Sequence, residues 1–285
     1  MRDPHLSPGR TAPGSLIDTS CDENIDLAEV RSVAERAARA AGQLLRERIH
    51  SIREIRHKGL VDLVTDVDEQ SERLVRQIIL STFPTHSILG EEGGSVAGED
   101  PRNRWIVDPL DGTTNYAHGF PFFCVSIAFE ANGQLLVGVV YDPSLDELFV
   151  AERGKGATLN GRPLQVSAEA SLGRALLATG FPYDRLLFPR AMKAFEVMSL
   201  RSRAVRRAGS AALDLCYVAC GRFEGYWEFV VNPWDLAAGS LLVEEAGGRV
   251  TRVDGSTFTV ECGEVLASNG AVHQAMVEAL AGAPA

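Results

Sequence analysis

Trp105-Ile106-Val107-Asp108-Pro109-Leu110-Asp111-Gly112-Thr113-Thr114-Asn115 lies near the middle of a 285-residue chain and organises its interpretation. Three apolar residues closed by an acid predict a short strand over 105–108. Pro109 then fixes the turn, so Asp108, the Leu110 carbonyl and Asp111 can converge on one point. Gly112-Thr113-Thr114 follows at once. A helix starting there would aim its free N–H groups at the same point and form an anion site beside the acids. Carboxylate and carbonyl oxygens suit hard cations such as Mg²⁺. A phosphate held at once by metal and backbone is the chemistry that follows. One acid at a strand end is routine, because such acids cap and solvate. Several acids at element ends, set in apolar flanks, are not.

Outward from this segment, Glu91-Glu92 follows a predicted strand at 87–90, and Trp234-Asp235 opens a predicted helix behind Pro233. Upstream, Leu27, Val30, Ala34, Ala37, Ala41, Leu44 and Leu45 repeat at helical spacing over 26–50, with Asp26 as N-cap. Leu74, Val75, Ile78 and Ile79 mark a second helix over 65–81. Downstream, strands are predicted at 122–131 and 134–141 around the Asn132-Gly133 hairpin signal, then at 147–152, with another tight turn at Asn160-Gly161. The second half predicts strands at 175–179, 204–207, 223–228, 249–253, 257–260 and 265–268. Helices are predicted at 188–200, 210–220, from Pro233 to Gly247, and at 271–280. Helices, strands and hairpins interleave, which implies an α+β layered architecture and not a doubly wound parallel sheet.

Composition sets the outer limits. The chain carries 28 Lys+Arg against 38 Asp+Glu, a formal net charge of −10, and is 45% hydrophobic. Such a chain folds and lacks the basic surface that nucleic-acid phosphates require. Arg201, Arg203, Arg206 and Arg207 form the one dense basic cluster, read as a solvated or dimer-interface face. Five cysteines, an odd and scattered set, fit a reducing compartment, and Cys216 and Cys220 are read as packed thiols. Residues 1–25 are read as a disordered tail, since Met1–Ser20 is rich in Pro, Gly and Ser and has no apolar signal core. No apolar run reaches the roughly 18 residues that span a bilayer. A cytoplasmic protein without membrane attachment is expected. Its negative charge requires something, such as a metal, to offset repulsion of an anionic substrate.

Asp62-Leu63-Val64-Thr65-Asp66-Val67-Asp68, Gly90-Glu91-Glu92, Asp108 through Asn115, Gly209-Ser210-Ala211-Ala212 and Trp234-Asp235-Leu236-Ala237-Ala238-Gly239 occur in this order over 26–285. On these stretches the chain resembles the inositol monophosphatase-like, lithium-sensitive phosphatases. The resemblance implies an α-β-α-β-α sandwich, with an N-terminal α+β part over about 26–172 and a C-terminal α/β part over about 173–285. It implies a homodimer that hydrolyses a small-molecule phosphate monoester with two or three Mg²⁺ ions and is inhibited by Li⁺. Carried over by position, Glu91, Asp108 and the Leu110 carbonyl match the ligands of a first metal. Asp108, Asp111 and Asp235 match those of a second, and Glu91 also helps to hold a weaker third. Asp68 and Thr113 match the pair that orients and deprotonates the attacking water, with Glu91 beside them. The backbone of Gly112 and Thr113 matches the phosphate cradle, while Asp111, Ala211, Glu228 and Asp235 border the substrate.

Thr114-Asn115-Tyr116 and His118-Gly119-Phe120-Pro121 favour inositol 1-phosphate as substrate, although Asn232 stands where animal members carry a His. Fructose 1,6-bisphosphate, 3′-phosphoadenosine 5′-phosphate and histidinol phosphate are the alternatives, as is a regulatory or scaffold protein that retains the fold. His57 and Lys58 are placed in a loop near the site, Phe181-Pro182-Tyr183 in a substrate-proximal loop, and Trp105, Trp227 and Trp234 in packing roles.

Overall fold

The computed structural model describes residues 25–49, 55–57, 63–182 and 186–282. Helix α1 (Leu27–Arg48) starts where Asp26 accepts hydrogen bonds from the amides of Ala28 at 2.9 Å and Glu29 at 3.3 Å. Its buried stripe includes Val30, Ala34, Ala37, Ala41 and Leu45. Strands β1 (Ile55–His57) and β2 (Leu63–Thr65) pair antiparallel, where the sequence predicts only a loop. Helix α2 (Asp66–Thr82) follows directly.

One sheet collects β3 (His86–Gly90), β4 (Gly94–Val96), β5 (Asp100–Asp111), β6 (Cys124–Ala131), β7 (Gln134–Asp142), β8 (Glu147–Glu152), β9 (Gly156–Leu159) and β10 (Arg162–Pro163). Its order is β10-β9-β8-β7-β6-β5-β3-β4, and only β3 and β5 are parallel. A short helix α3 (Thr113–Ala117) lies between β5 and β6. Asn132 and Asn160 take φ values of 52° and 49° and precede Gly133 and Gly161, both at φ 77°. Two consecutive left-handed residues make the tight hairpin turns expected of Asn-Gly. The second sheet, in the order β12-β11-β13-β15-β14, is built from β11 (Leu176–Thr179), β12 (Ala204–Arg206), β13 (Gly225–Phe229), β14 (Arg249–Thr251) and β15 (Glu264–Ser268). Between these strands run α4 (Phe188–Arg201), α5 (Ala211–Ala219) and α6 (Pro233–Glu245), and α7 (His273–Ala281) closes the fold.

Period-two alternation explains the layering. Trp105, Val107, Ile127 and Phe129 pack with α1 and α2 on one face of the large sheet. Ile106, Ala128, Val140 and Phe149 face the other way and pack on α5 and α6. Across that layer Ala178, Tyr226, Val265 and Ala267 present the inner face of the second sheet. Leu177, Trp227 and Leu266, one residue out of phase, pack outward on α4 and α7. The result is the α-β-α-β-α sandwich: α1/α2, large sheet, α5/α6, small sheet, α4/α7.

The strand expected at 257–260 does not form. Phe258 and Val260 pack on the central core, and Val260–Cys262 is a 3₁₀ turn. Their apolar alternation reflects a loop laid on the core rather than a ladder. Other boundaries differ by a few residues, most visibly at β5, which runs from Asp100 through the acidic loop to Asp111. Residues 1–24, Lys58, Asp62 and Tyr183 lie outside the described residues.

Candidate active site

The acidic loop is a β-bulge. Asp108 pairs with Ser126 and Asp111 with Cys124, so three steps along β5 oppose two along β6. In an unbroken strand, residues three apart face opposite sides. The extra residue restores parity, which lets Asp108 and Asp111 share the inter-sheet side while Leu110 is buried against α1 and α2. Gly112 then turns the chain into α3 at φ +93°, where a Cβ would stand 2.9 Å from the Phe122 carbonyl oxygen; only glycine suits this position.

Asp235 arrives from the opposite part of the molecule, in the first turn of α6, with Pro233 at its start. Carboxylate oxygens of Asp108, Asp111 and Asp235 lie within 4.8 Å of one another. Each acid has one oxygen held by the protein. Asp108 Oδ1 accepts from the Leu110 amide at 2.9 Å, and Asp235 Oδ2 from the Asn232 amide at 2.8 Å. Asp111 Oδ2 accepts from Ser210 Oγ at 2.6 Å and the Ala212 amide at 2.7 Å, both at the start of α5.

Burial, followed by the Glu91, Asp111 and Asp235 carboxylates, pushes Asp108 well above the usual carboxylate range. Asp235 is pushed the same way by burial and then by Asp111. Burial raises Asp111 too, against the hydrogen bonds from α5. Crowded acids of this kind are what a divalent cation relieves, and a donor set made only of oxygens fits Mg²⁺ or a similar hard ion.

Thr113 Oγ1 lies 3.1 Å from both Asp68 Oδ1 and the Leu110 carbonyl oxygen, with one proton to give. Asp68 is fully buried on α2, and one turn further Ser71 Oγ donates to the Pro109 carbonyl at 2.8 Å. A cleft of about 150 Å³ gathers Glu91, Asp108, Leu110, Asp111, Gly112 and Thr113 from one side. Ala211, Glu228 and Asp235 face them from the other. Glu91 lines the cleft with the three clustered aspartates, and Asp68 reaches it through Thr113; neither joins their close group of oxygens. Phe181 and Pro182 also line the cleft, at the segment read as substrate-proximal.

Some residues at the cleft were missed or assigned elsewhere by the sequence reading. Arg207, grouped with surface arginines, lines it. Asp214 also lines it and is buried with Oδ1 unpartnered. An acid inside an otherwise apolar helix was the available signal. Ser210, part of the Gly209–Ala212 motif, caps α5, accepting from the Leu213 amide at 3.3 Å, and holds Asp111. Glu228 accepts from the Tyr226 hydroxyl. Burial pushes its carboxyl up to about 7, against the lowering effects of Tyr226 and Arg207.

The profile of the inositol monophosphatase family matches residues 26–284. An inositol-1-monophosphatase from Synechocystis is 46% identical, with 91% of each chain covered. A Pseudomonas aeruginosa protein named Nus factor SuhB is 44% identical over 86% of this chain and 93% of its own. The solved inositol monophosphatase of Anabaena (Nostoc) superposes with a TM-score of 0.83 at 45% identity, covering 91% of this chain and 98% of that one. The chain therefore belongs to the inositol monophosphatase family, metal-dependent phosphatases that hydrolyse phosphate monoesters.

Proposed function

We propose that the protein is a Mg²⁺-dependent phosphatase that hydrolyses inositol 1-phosphate to inositol and phosphate, with water as nucleophile. One observation carries the reading: three carboxylates with oxygens within 4.8 Å of one another share a cleft with Thr113, whose hydroxyl is hydrogen-bonded to Asp68. Glu91, Asp108, Asp111, Asp235 and the Leu110 carbonyl would hold two or three ions. Mg²⁺ bound there supplies Lewis-acid stabilisation of the phosphoryl group and lowers the pKa of water.

The remaining work falls to the chain. Thr113 Oγ1 gives its proton to Asp68 and keeps lone pairs for a proton from water, so neither step leaves charge on the threonine. The Gly112 and Thr113 amides cradle the phosphate. Ala211, Glu228 and Asp235 orient the leaving polyol through its hydroxyls. In this reading the enzyme is a cytoplasmic homodimer, and Li⁺ inhibits it by taking the second metal position. Sedimentation of a monomer, or activity unchanged at tens of millimolar Li⁺, would remove those two elements separately.

The deciding experiment compares kcat/KM for inositol 1-phosphate, fructose 1,6-bisphosphate, 3′-phosphoadenosine 5′-phosphate and histidinol phosphate, with and without Mg²⁺. Preference for inositol 1-phosphate with loss of turnover under chelation is expected. A different preferred ester overturns the substrate, and metal-independent turnover overturns the mechanism. A second reading, a regulatory protein that retains the fold, draws on the relative named Nus factor SuhB. The exposed Arg201, Arg203 and Arg206 are its candidate surface. Absence of turnover on the whole panel would favour it.

A further inference from the structure

Glu91 sits in a precarious place. It follows β3 in a three-residue connection to β4, which is exposed along its length and forms the edge of the large sheet. Pairing with so short an edge strand fixes a carboxylate poorly. A restraint on this turn comes from α2. Glu72 is 3% exposed, and its Oε2 accepts from the Glu92 amide at 2.8 Å while Oε1 accepts from the Gly93 amide at 2.8 Å. Arg76, one turn along the helix, donates from Nε to Glu72 Oε1 at 2.7 Å and from Nη2 to the Gly94 carbonyl at 2.8 Å.

Glycines make the approach possible. A Cβ at Gly90 would lie 2.7 Å from the Glu72 carboxylate, and one at Gly93 2.5 Å from it. Glu72 is thus saturated by two amides and a guanidinium, an arrangement suited to gripping backbone and not to ligating an ion.

We propose that Glu72 is a positioning residue for the metal-binding side of the cleft: braced by Arg76, it clamps the 92–93 amides and thereby sets where the Glu91 carboxylate stands beside Asp108. The proposal rests on the reading of Glu91 as a metal ligand. It also gives α2 a single task. Asp68, Ser71 and Glu72 share one helix face and hold Thr113, the Pro109 carbonyl and the Glu91 turn respectively, so one rigid element aligns three segments of the site.

The test is titration of the full-length protein with Mn²⁺ alone, read by the EPR signal of free Mn²⁺, for wild type, Glu72→Gln, Gly93→Ala and Asp235→Asn. Glutamine keeps the shape but offers one acceptor oxygen, and its amide group faces the second amide. Alanine at 93 pushes the turn away while leaving the buried carboxylate in place, so it reports even where Glu72→Gln fails to fold. Each is expected to weaken Mn²⁺ binding by about 10–100-fold, the range typical of residues that orient a metal ligand. Half-activating Mg²⁺ should rise in parallel, with KM for the phosphate ester at saturating metal little changed. Combined, the two substitutions should be less than additive. Wild-type binding that Asp235→Asn abolishes, but that stays intact in both clamp variants, overturns the clamp alone. Wild-type binding insensitive to Asp235→Asn, or absent, overturns the metal reading and the clamp with it.

Discussion

A Cβ at Gly180 would overlap the Glu228 carboxylate, so the seat of that acid is defined by a missing side chain. Gly180→Ala should push Glu228 away from the cleft and raise KM for the polyol phosphate about tenfold, the effect of one or two lost hydrogen bonds, while Mn²⁺ affinity stays unchanged. An unaltered KM would remove Glu228 from substrate binding. Asp111→Asn and Asp235→Asn should each lower kcat by several orders of magnitude with circular dichroism unchanged, because an amide can keep the local hydrogen bonds but replaces a metal-binding carboxylate poorly. Near-normal turnover in either variant would refute their assignment. At this scale the convergence of Asp108, Asp111 and Asp235 was legible because packing alone seldom demands acids at such spacing. Arg207 and Asp214 were not, since their roles depend on which chain segments meet. Arg201, Arg203 and Arg207 are all exposed, and nothing local shows that the last of them borders the cleft.

Individual elements carry two jobs at once. Ser210 caps α5 and donates to Asp111. Ser210→Ala should therefore cost about 1 kcal/mol of stability as a lost cap and also weaken metal binding; a melting shift without the second effect would confine it to capping. Helix α7 is tied down by His273, which lies between Ser268 Oγ at 2.8 Å and Thr251 Oγ1 at 2.9 Å. Burial, helped by Arg249, depresses its pKa to about 4. The folded state holds this imidazole neutral, whereas the unfolded chain protonates it below about 6.5. Stability from His273 is thus complete above pH 6.5 and declines as pH falls towards 4, by up to about 3 kcal/mol. Urea melts of wild type against His273→Gln between pH 7 and 4 should show the steeper loss in wild type; parallel curves would contradict it. Hydrophobic period located most helices and strands, since amphipathic faces are local. The misassigned strand at 257–260 and the missed β1–β2 pair share a cause. Pairing depends on a neighbour, and neither a free sheet edge nor a distant partner is written in a short apolar run.

For the whole molecule, a net charge of −10 becomes intelligible once acids from both halves meet in one cleft. Asp108 and Asp111 come from the large sheet and Asp235 from the helical layer behind it. Metal binding should therefore stabilise the entire fold by about 2.7 kcal/mol at a hundred times its dissociation constant. A melting temperature that rises with Mg²⁺ in wild type and not in Asp235→Asn is the expected signature; equal shifts would place the ion elsewhere. Among the described residues no helix is long and apolar enough to cross a membrane. The layered architecture was legible as a class from its interleaved periodicities, but the strand order was not, because order is set by contacts between segments far apart in the chain. The bulge at Pro109-Leu110 has an evolutionary corollary. Losing a single codon between Asp108 and Asp111 would remove the bulge and leave the two acids on one face of a regular strand, but without the loop that brings the Leu110 carbonyl to Thr113. Such a gene can drift little at this point in spelling, since Leu110 is buried in the core and Ser71 holds the Pro109 carbonyl, and little in length.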